Sequence, residues 1–171
     1  MNLMATGCAA EILTALEITL IVHPAVAMDA VYLEGRREGE PRERVDLSAL
    51  SASGLVLEVS LNAAEPDLVV ELAASVDDGE AEVIAIAVAR QLPMATDDRK
   101  ARRIAARRSV TVVSTPELLW QWQEASVLPA PRMGEVLQTI SRRSHYRPGI
   151  SHPLYEWWNS FGAITPPNQS G

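Results

Sequence analysis

The sequence predicts an α/β fold with a mostly parallel sheet and helices on both faces. Short β-branched and apolar runs alternate with longer segments whose apolar residues have helical spacing, and this alternation is typical of βα units. The chain has 171 residues and is 47% hydrophobic, which is enough for one core and too little for two comfortable domains. We expect one α/β domain over residues 1–145 and a Pro-rich, aromatic tail over residues 146–171 whose last residues are disordered.

The elements and their order are predicted from the spacing of apolar residues, from prolines and from helix-capping residues. Pro24 can open a helix because the first helical turn does not need its missing N–H, and Ser114 or Thr115 before Pro116 favours another helix start. The segment at residues 35–44 is rich in charge, Gly and Pro and predicts a solvated connection. We expect strands over residues 18–22, 55–59, 92–95 and 110–113, and helices over residues 8–17, 24–31, 48–54, 66–75, 77–89, 99–108 and 132–144, with one more from residue 115.

The composition argues against several classes of function. A net charge of -7 is unlike a protein whose whole surface binds nucleic acid, so any such contact must be local. The single cysteine, Cys8, excludes an internal disulfide and a Cys/His zinc site. The sequence has no apolar run that marks a signal peptide or membrane span, which favours a cytoplasmic protein. Walker, Rossmann and Gly-x-Ser-x-Gly patterns are also missing from the sequence.

Two acidic residues stand at the ends of predicted elements. Asp98 directly follows a strand, which places it at the carboxyl edge of the sheet. Glu80 lies in the first turn of the long apolar helix. Taken singly, each acid is explained by helix capping or by the helix dipole. Taken together, they can provide the converging carboxylate oxygens that Mg²⁺ or Mn²⁺ prefers.

The segments around these acids resemble the third and fourth acidic motifs of PIN domains. They are GEAEVIAIA at residues 79–87 and ATDDR at residues 95–99, and the separation between them also matches. Upstream, PAVAMDAV at residues 24–31 resembles a family segment in which a helix carries a glutamate, and Asp29 stands in its place. The segments NLMATG at residues 2–7 and PLYEWW at residues 153–158 are similar to a PIN-like subgroup of predicted nucleic-acid-binding proteins.

The resemblance implies a three-layer α/β/α fold and a metal-dependent ribonuclease. Asp29, Glu80 and Asp98 are the implied catalytic and metal-binding residues. Asp97 is implied as a further residue of the metal site or as a neighbouring supporting group, and Mg²⁺ or Mn²⁺ is the implied cofactor. RNA is the implied substrate, and a toxin-like member would have an antitoxin or a second copy as its partner. In the family, a central first strand ends in a further aspartate, and that strand is missing here. We therefore expect the true start to lie upstream of Met1.

Two alternatives to an active nuclease stay open from the sequence. One is a non-catalytic module that binds nucleic acid or protein, and the other is an inactive truncated product. The basic segment after Asp98 is likewise open to two interpretations. Thr96, Arg99, Arg102 and Arg103 are candidate contacts to a phosphate backbone, whereas a solvated helix face is the simpler interpretation of the same charges.

Overall fold

The structure is a computed structural model that describes residues 2–24, 32–35 and 39–161. Its helices are α1 (Asn2–Ala5), α2 (Ala9–Ala15), α3 (Ser48–Ala52), α4 (Pro66–Ala73), α5 (Asp78–Ala89), α6 (Arg99–Arg107), α7 (Thr115–Ser126), α8 (Ala130–Arg143) and α9 (Tyr155–Ser160). Its strands are β1 (Leu20–Val22), β2 (Tyr32–Leu33), β3 (Glu43–Arg44), β4 (Val56–Glu58), β5 (Met94–Ala95) and β6 (Val112–Val113). The mixed α/β class and the parallel pairing predicted from the sequence are confirmed.

The chain divides into two compact units. One comprises Met1–Ile18, Val31–Val45 and Pro116–Gly171, and the other comprises Thr19–Ala30 and Asp46–Thr115. The second unit contains both parallel strand pairs and the predicted acids Glu80 and Asp98.

Helix α5 lies at the core of the second unit. It is apolar around most of its circumference, so several elements can cover it at once. Ile84 and Ala85 of α5 are fully buried, and they cluster with Leu72 of α4, Met94 of β5 and Ala101 of α6. This packing fixes the first turn of α5 beside the start of α6.

The described strands pair two by two instead of forming one continuous sheet. Strands β1 and β4 are parallel, β5 and β6 are parallel, and β2 and β3 are antiparallel. Alternate residues of a parallel strand bond to the same neighbour. Leu20 and Val22 bond to the segment around β4, so the backbone of Ile21 faces the other edge. Ala95 occupies the equivalent position in β5. Within the described residues no strand joins these two pairs.

Strand β3 lies in the segment that the sequence predicted to be a solvated connection, and this part of the prediction was wrong. Leu33 pairs with Glu43 in the antiparallel ladder. The buried side chain of Arg143 donates to the carboxylate of Glu43 and, at 3.2 Å, to the carbonyl oxygen of Glu34. The partner in α8 is about a hundred residues away, so local composition gives no sign of it.

The aromatic residues near the C-terminus pack within the first unit. The Trp157 indole Nε1 donates to Gln123 Oε1 at 2.9 Å, and its ring meets that of Phe161 edge to face at 5.5 Å. Trp158 is buried and contacts Tyr146 in the same manner. Residues 162–171, where we expected disorder, lie outside the described residues. Of the helices in the described ranges, none has the length and apolar character needed to cross a membrane.

Candidate functional site

Two of the predicted acids line one cleft of the second unit. The cleft has a volume of about 410 Å³ and is formed where the end of α4, the first turn of α5 and the first turn of α6 meet. The residues that line it are Ala74, Ser75, Val76, Asp77, Glu80, Asp98 and Lys100. The carboxylates of Glu80 and Asp98 thus come together although they belong to different helix ends.

The carboxyl group of Glu80 lies in an environment that disfavours its charge. Partial burial has the largest effect on its pKa and raises it above the ordinary value. The negative charges of Asp98 and Asp77 and a hydrogen bond with Asp77 raise this pKa further, and only Lys100 opposes them. The cleft therefore holds an excess of negative charge that a bound cation would relieve.

Asp98 is fixed in position by its role as the N-cap of α6. Its Oδ1 atom accepts hydrogen bonds from the backbone N–H groups of Lys100 and Ala101, both at 2.7 Å. Its own N–H donates to the hydroxyl of Thr96 at 3.1 Å. The side chain is nevertheless exposed, and within the described residues Oδ2 has no hydrogen-bond partner. Capping and ligand binding are therefore compatible at this residue.

Asp97 does not line the cleft. Its Oδ1 accepts from the backbone N–H of Thr115 at 2.9 Å, and its Oδ2 accepts from the Thr115 hydroxyl. Because Thr115 begins α7, both carboxylate oxygens of Asp97 serve the start of that helix. This geometry favours a supporting position for Asp97 over direct contact with a metal ion.

The residues singled out for nucleic-acid contact have different surroundings. The hydroxyl of Thr96 accepts from Asp98, and its carbonyl oxygen accepts from Arg102 at 3.3 Å, so these two residues brace the start of α6. Arg99 and Arg103 are exposed on α6, and so is Arg107. Lys100 lies in the cleft itself, a position that sequence reasoning missed because only packing shows which residue of a basic helix faces the acids.

The described acids do not by themselves form a complete metal-binding group. Asp29 lies outside the described residues, and in the parts that are described no three acidic, His or Cys side chains converge to hold an ion. Mg²⁺ keeps several waters and commonly binds through one or two carboxylates together with substrate phosphates. The pair Glu80 and Asp98, in a cleft with excess negative charge, fits this mode of binding.

One family model matches the chain. It is described as a PIN domain and matches residues 8–155, a range that includes the cleft and both parallel ladders. Neither the curated proteins nor the solved structures include a significant match to this chain.

Proposed function

Since this chain belongs to the PIN domain family, we propose that it hydrolyses phosphodiester bonds of RNA with the aid of Mg²⁺ or Mn²⁺. The observation that carries the proposal is the shared cleft of Glu80 and Asp98, in which burial and the neighbouring charges raise the pKa of Glu80. Titratable groups with shifted pKa values in a cleft are typical of functional sites. Membership of the family supports a nuclease-type activity, and the cleft is the site proposed for that activity.

The proposed ligands are the carboxylates of Glu80 and Asp98, with Asp29 as the further acid that the sequence suggests. When bound there, a divalent ion would activate water and stabilise the charge that develops on the leaving oxygen. Asp98 keeps its orientation through the cap of α6, in which its Oδ1 accepts two hydrogen bonds, and the residue lines the cleft. Glu80 must lose its proton to act as a ligand, since metal ligands bind in their deprotonated form.

Lys100 would hold the phosphate of the substrate beside these acids. Its ammonium group lines the cleft and lowers the pKa of Glu80, so it lies within electrostatic range of that carboxylate. A lysine at such a position can bind a phosphate oxygen as a compact point charge. The acids and Lys100 would thus bind the ion and the phosphate in one cleft.

The exposed face of α6 would bind the RNA backbone on its way to the cleft. Arg99, Arg103 and Arg107 follow one another at intervals of four residues, and they lie on one face of the helix about 6 Å apart along its axis. All three side chains are exposed. These three arginines can bind phosphates locally although the net charge of the whole chain is -7.

The test combines metal binding with cleavage. Mn²⁺ is titrated into the purified protein in a calorimeter, and cleavage of single-stranded RNA is followed with Mn²⁺ present. We expect both in the wild type and neither in Asp98→Asn, because asparagine can still cap α6 but lacks the charge. Asp78→Asn is the matched control, since Asp78 is an exposed acid in the first turn of α5 that does not line the cleft. Equal cleavage by wild type and Asp98→Asn would refute the proposal.

A second candidate is a non-catalytic module that binds RNA or a protein. It is favoured by one observation: the described residues provide no three converging metal-binding side chains. This candidate predicts RNA binding without heat from Mn²⁺ titration.

The proposed nuclease function also includes a toxin-like role with an antitoxin, self-association and a cytoplasmic location. Co-purification tests binding of an antitoxin, and light scattering tests self-association. A truncated, inactive product would lack a cooperative melt.

A further inference from the structure

We propose that Asp97 and Thr115 form a positioning pair that fixes the Asp98 carboxylate in the cleft. The inference deepens the proposed metal-dependent function and rests on it for its chemical meaning. It assigns Asp97 a role other than that of a ligand. It also gives a second role to Thr115, for which the sequence predicted only a helix start.

Strands β5 and β6 form a short parallel ladder. This ladder has only two residue pairs, Met94 with Val112 and Ala95 with Val113, and such a short ladder alone restrains the following turn weakly. One further backbone bond continues it, from the Thr96 N–H to the Val113 carbonyl oxygen at 3.0 Å. Past that bond, side-chain hydrogen bonds also link the two segments.

The two chain segments that follow β5 and β6 also contact each other past the ladder. The carboxylate of Asp97 accepts from both the backbone N–H and the hydroxyl of Thr115. Thr115 is buried, with 7% of its surface exposed, and Asp97 is half-buried. Hydrogen bonds to a charged group are stronger than neutral ones, and low local polarity strengthens them further. The turn after β5 is therefore held to the start of α7 by two charge-assisted bonds.

The restraint on Asp97 extends to its neighbour Asp98. Because the two residues share a peptide bond, holding the Asp97 side chain restricts the backbone from which Asp98 projects. Asp98 in turn caps α6 through Lys100 and Ala101. Loss of the Thr115 hydroxyl should therefore loosen that cap and move the carboxylate in the cleft. Supporting groups of this kind typically change metal affinity by about 10- to 100-fold when they are removed.

The experiment compares Thr115→Val, which removes the hydroxyl at nearly constant volume, with Thr115→Ser, which retains it. Asp97→Asn is a second variant that weakens the same contact from the other side. Thr139→Val is the matched control, because the exposed Thr139 hydroxyl bonds only to the Glu135 carbonyl oxygen of its own helix. Two quantities are measured on the folded proteins: hydrogen exchange of the Lys100 and Ala101 amides, and Mn²⁺ affinity by calorimetry.

We expect faster exchange at both amides and about 10-fold weaker Mn²⁺ binding in Thr115→Val and in Asp97→Asn, with wild-type values in Thr115→Ser and in Thr139→Val. Unchanged exchange in folded Thr115→Val and Asp97→Asn would overturn the positioning role. Should Thr115→Val fail to fold, Asp97→Asn decides by the same two measurements. A wild type that takes up no Mn²⁺ would refute the proposed metal-dependent function, and the amide exchange would still decide whether the pair positions Asp98.

Discussion

The carboxyl groups of Glu80 and Asp98 line one cleft, and burial followed by the charge of Asp98 raises the pKa of Glu80. A raised pKa means that the folded state disfavours the charged form of this group. The charged form of Glu80 therefore weakens the fold. A local loss of folding stability of this kind is common at sites that are arranged for binding.

Replacing Glu80 by glutamine should stabilise the metal-free protein at neutral pH. Because the folded pKa of Glu80 lies above its unfolded value, stability is greatest below the unfolded value and falls as pH rises through the folded one. Glutamine removes that loss, and we expect a melting temperature higher by about 1–3 °C at pH 7. The gain should vanish in acid, where Glu80 is protonated in the wild type, and calorimetric melts between pH 4 and pH 7 (about the span of the ordinary Glu pKa and neutrality) measure it.

Asp78→Asn separates this effect from a general loss of charge. Asp78 lies in the same first turn of α5, is exposed, and does not line the cleft. The negative charge of Asp78 interacts favourably with the helix dipole at the N-terminus of α5. Asp78→Asn should therefore melt at the wild-type temperature or slightly lower. If Glu80→Gln behaves like Asp78→Asn at pH 7, the cleft does not disfavour the charge of Glu80.

Binding of Mn²⁺ should strengthen as pH rises through the raised pKa of Glu80. The ion competes with the proton on this carboxyl group, so its affinity depends on the fraction of Glu80 that is ionised. We expect the dependence to flatten in Glu80→Gln, whose residual affinity comes from Asp98. Calorimetric titrations at several pH values, in buffers that do not bind the metal, provide the measurement. An identical pH profile in both proteins would exclude Glu80 as a ligand.

The two acids could be predicted from the sequence because their signals are local. A helix cap or a first-turn acid is recognisable within four residues, and Asp98 and Glu80 both have such surroundings. The contact of Asp97 with Thr115 spans 18 residues, and no local pattern shows it. The same holds for Lys100, whose neighbours in α6 are also basic. Side-chain partners from separate elements follow from packing, which the sequence does not display.

For the strands too, position could be predicted from local sequence, whereas pairing could not. The strands β1, β4, β5 and β6 fall within the predicted segments, because short apolar runs are local signals. Pairing depends on which strands become neighbours, and the described strands form separate two-stranded ladders. Strand β3 was missed because Arg143, far along the chain, supplies its charge partner.

Removing arginines from the exposed face of α6 should weaken RNA binding in a salt-dependent way. Each phosphate contact that is lost lowers the slope of log affinity against log salt by about 0.7 for single strands. We expect a reduction of about 0.7 for Arg103→Ala and about 1.4 when Arg99→Ala is added. Fluorescence anisotropy with a labelled single-stranded RNA at several salt concentrations measures the slope.

Arg142→Ala is the matched control for this series. Arg142 is an exposed arginine in the last turn of α8, so its removal changes net charge by the same amount. It should leave the slope within error of the wild type. A control that lowers the slope as much as Arg103→Ala would show that net charge, and not the face of α6, determines binding.

Removing Arg90 should destabilise the protein far more than removing Arg108. The Glu65 side chain is fully buried and accepts from Arg90 Nε at 2.7 Å, from Arg90 Nη2 at 3.0 Å and from the Asn62 N–H at 2.6 Å. Arg90→Met would leave a buried carboxylate without its cation, which is strongly unfavourable. Arg108 pairs with the exposed Glu71, and Arg108→Met should cost at most about 1 kcal/mol.

The pH dependence of the Arg90→Met variant provides a second check. Arg90 holds the pKa of Glu65 below its ordinary value, so the ion pair contributes stability above the unfolded pKa and loses it as pH falls through the folded one. The gap in melting temperature between wild type and Arg90→Met should therefore narrow in acid. Replacing both partners, as Glu65→Leu with Arg90→Met, should recover part of the loss because no buried charge remains. Equal melting temperatures of Arg90→Met and Arg108→Met at neutral pH would contradict this account, and a gap that widens in acid would reverse its sign.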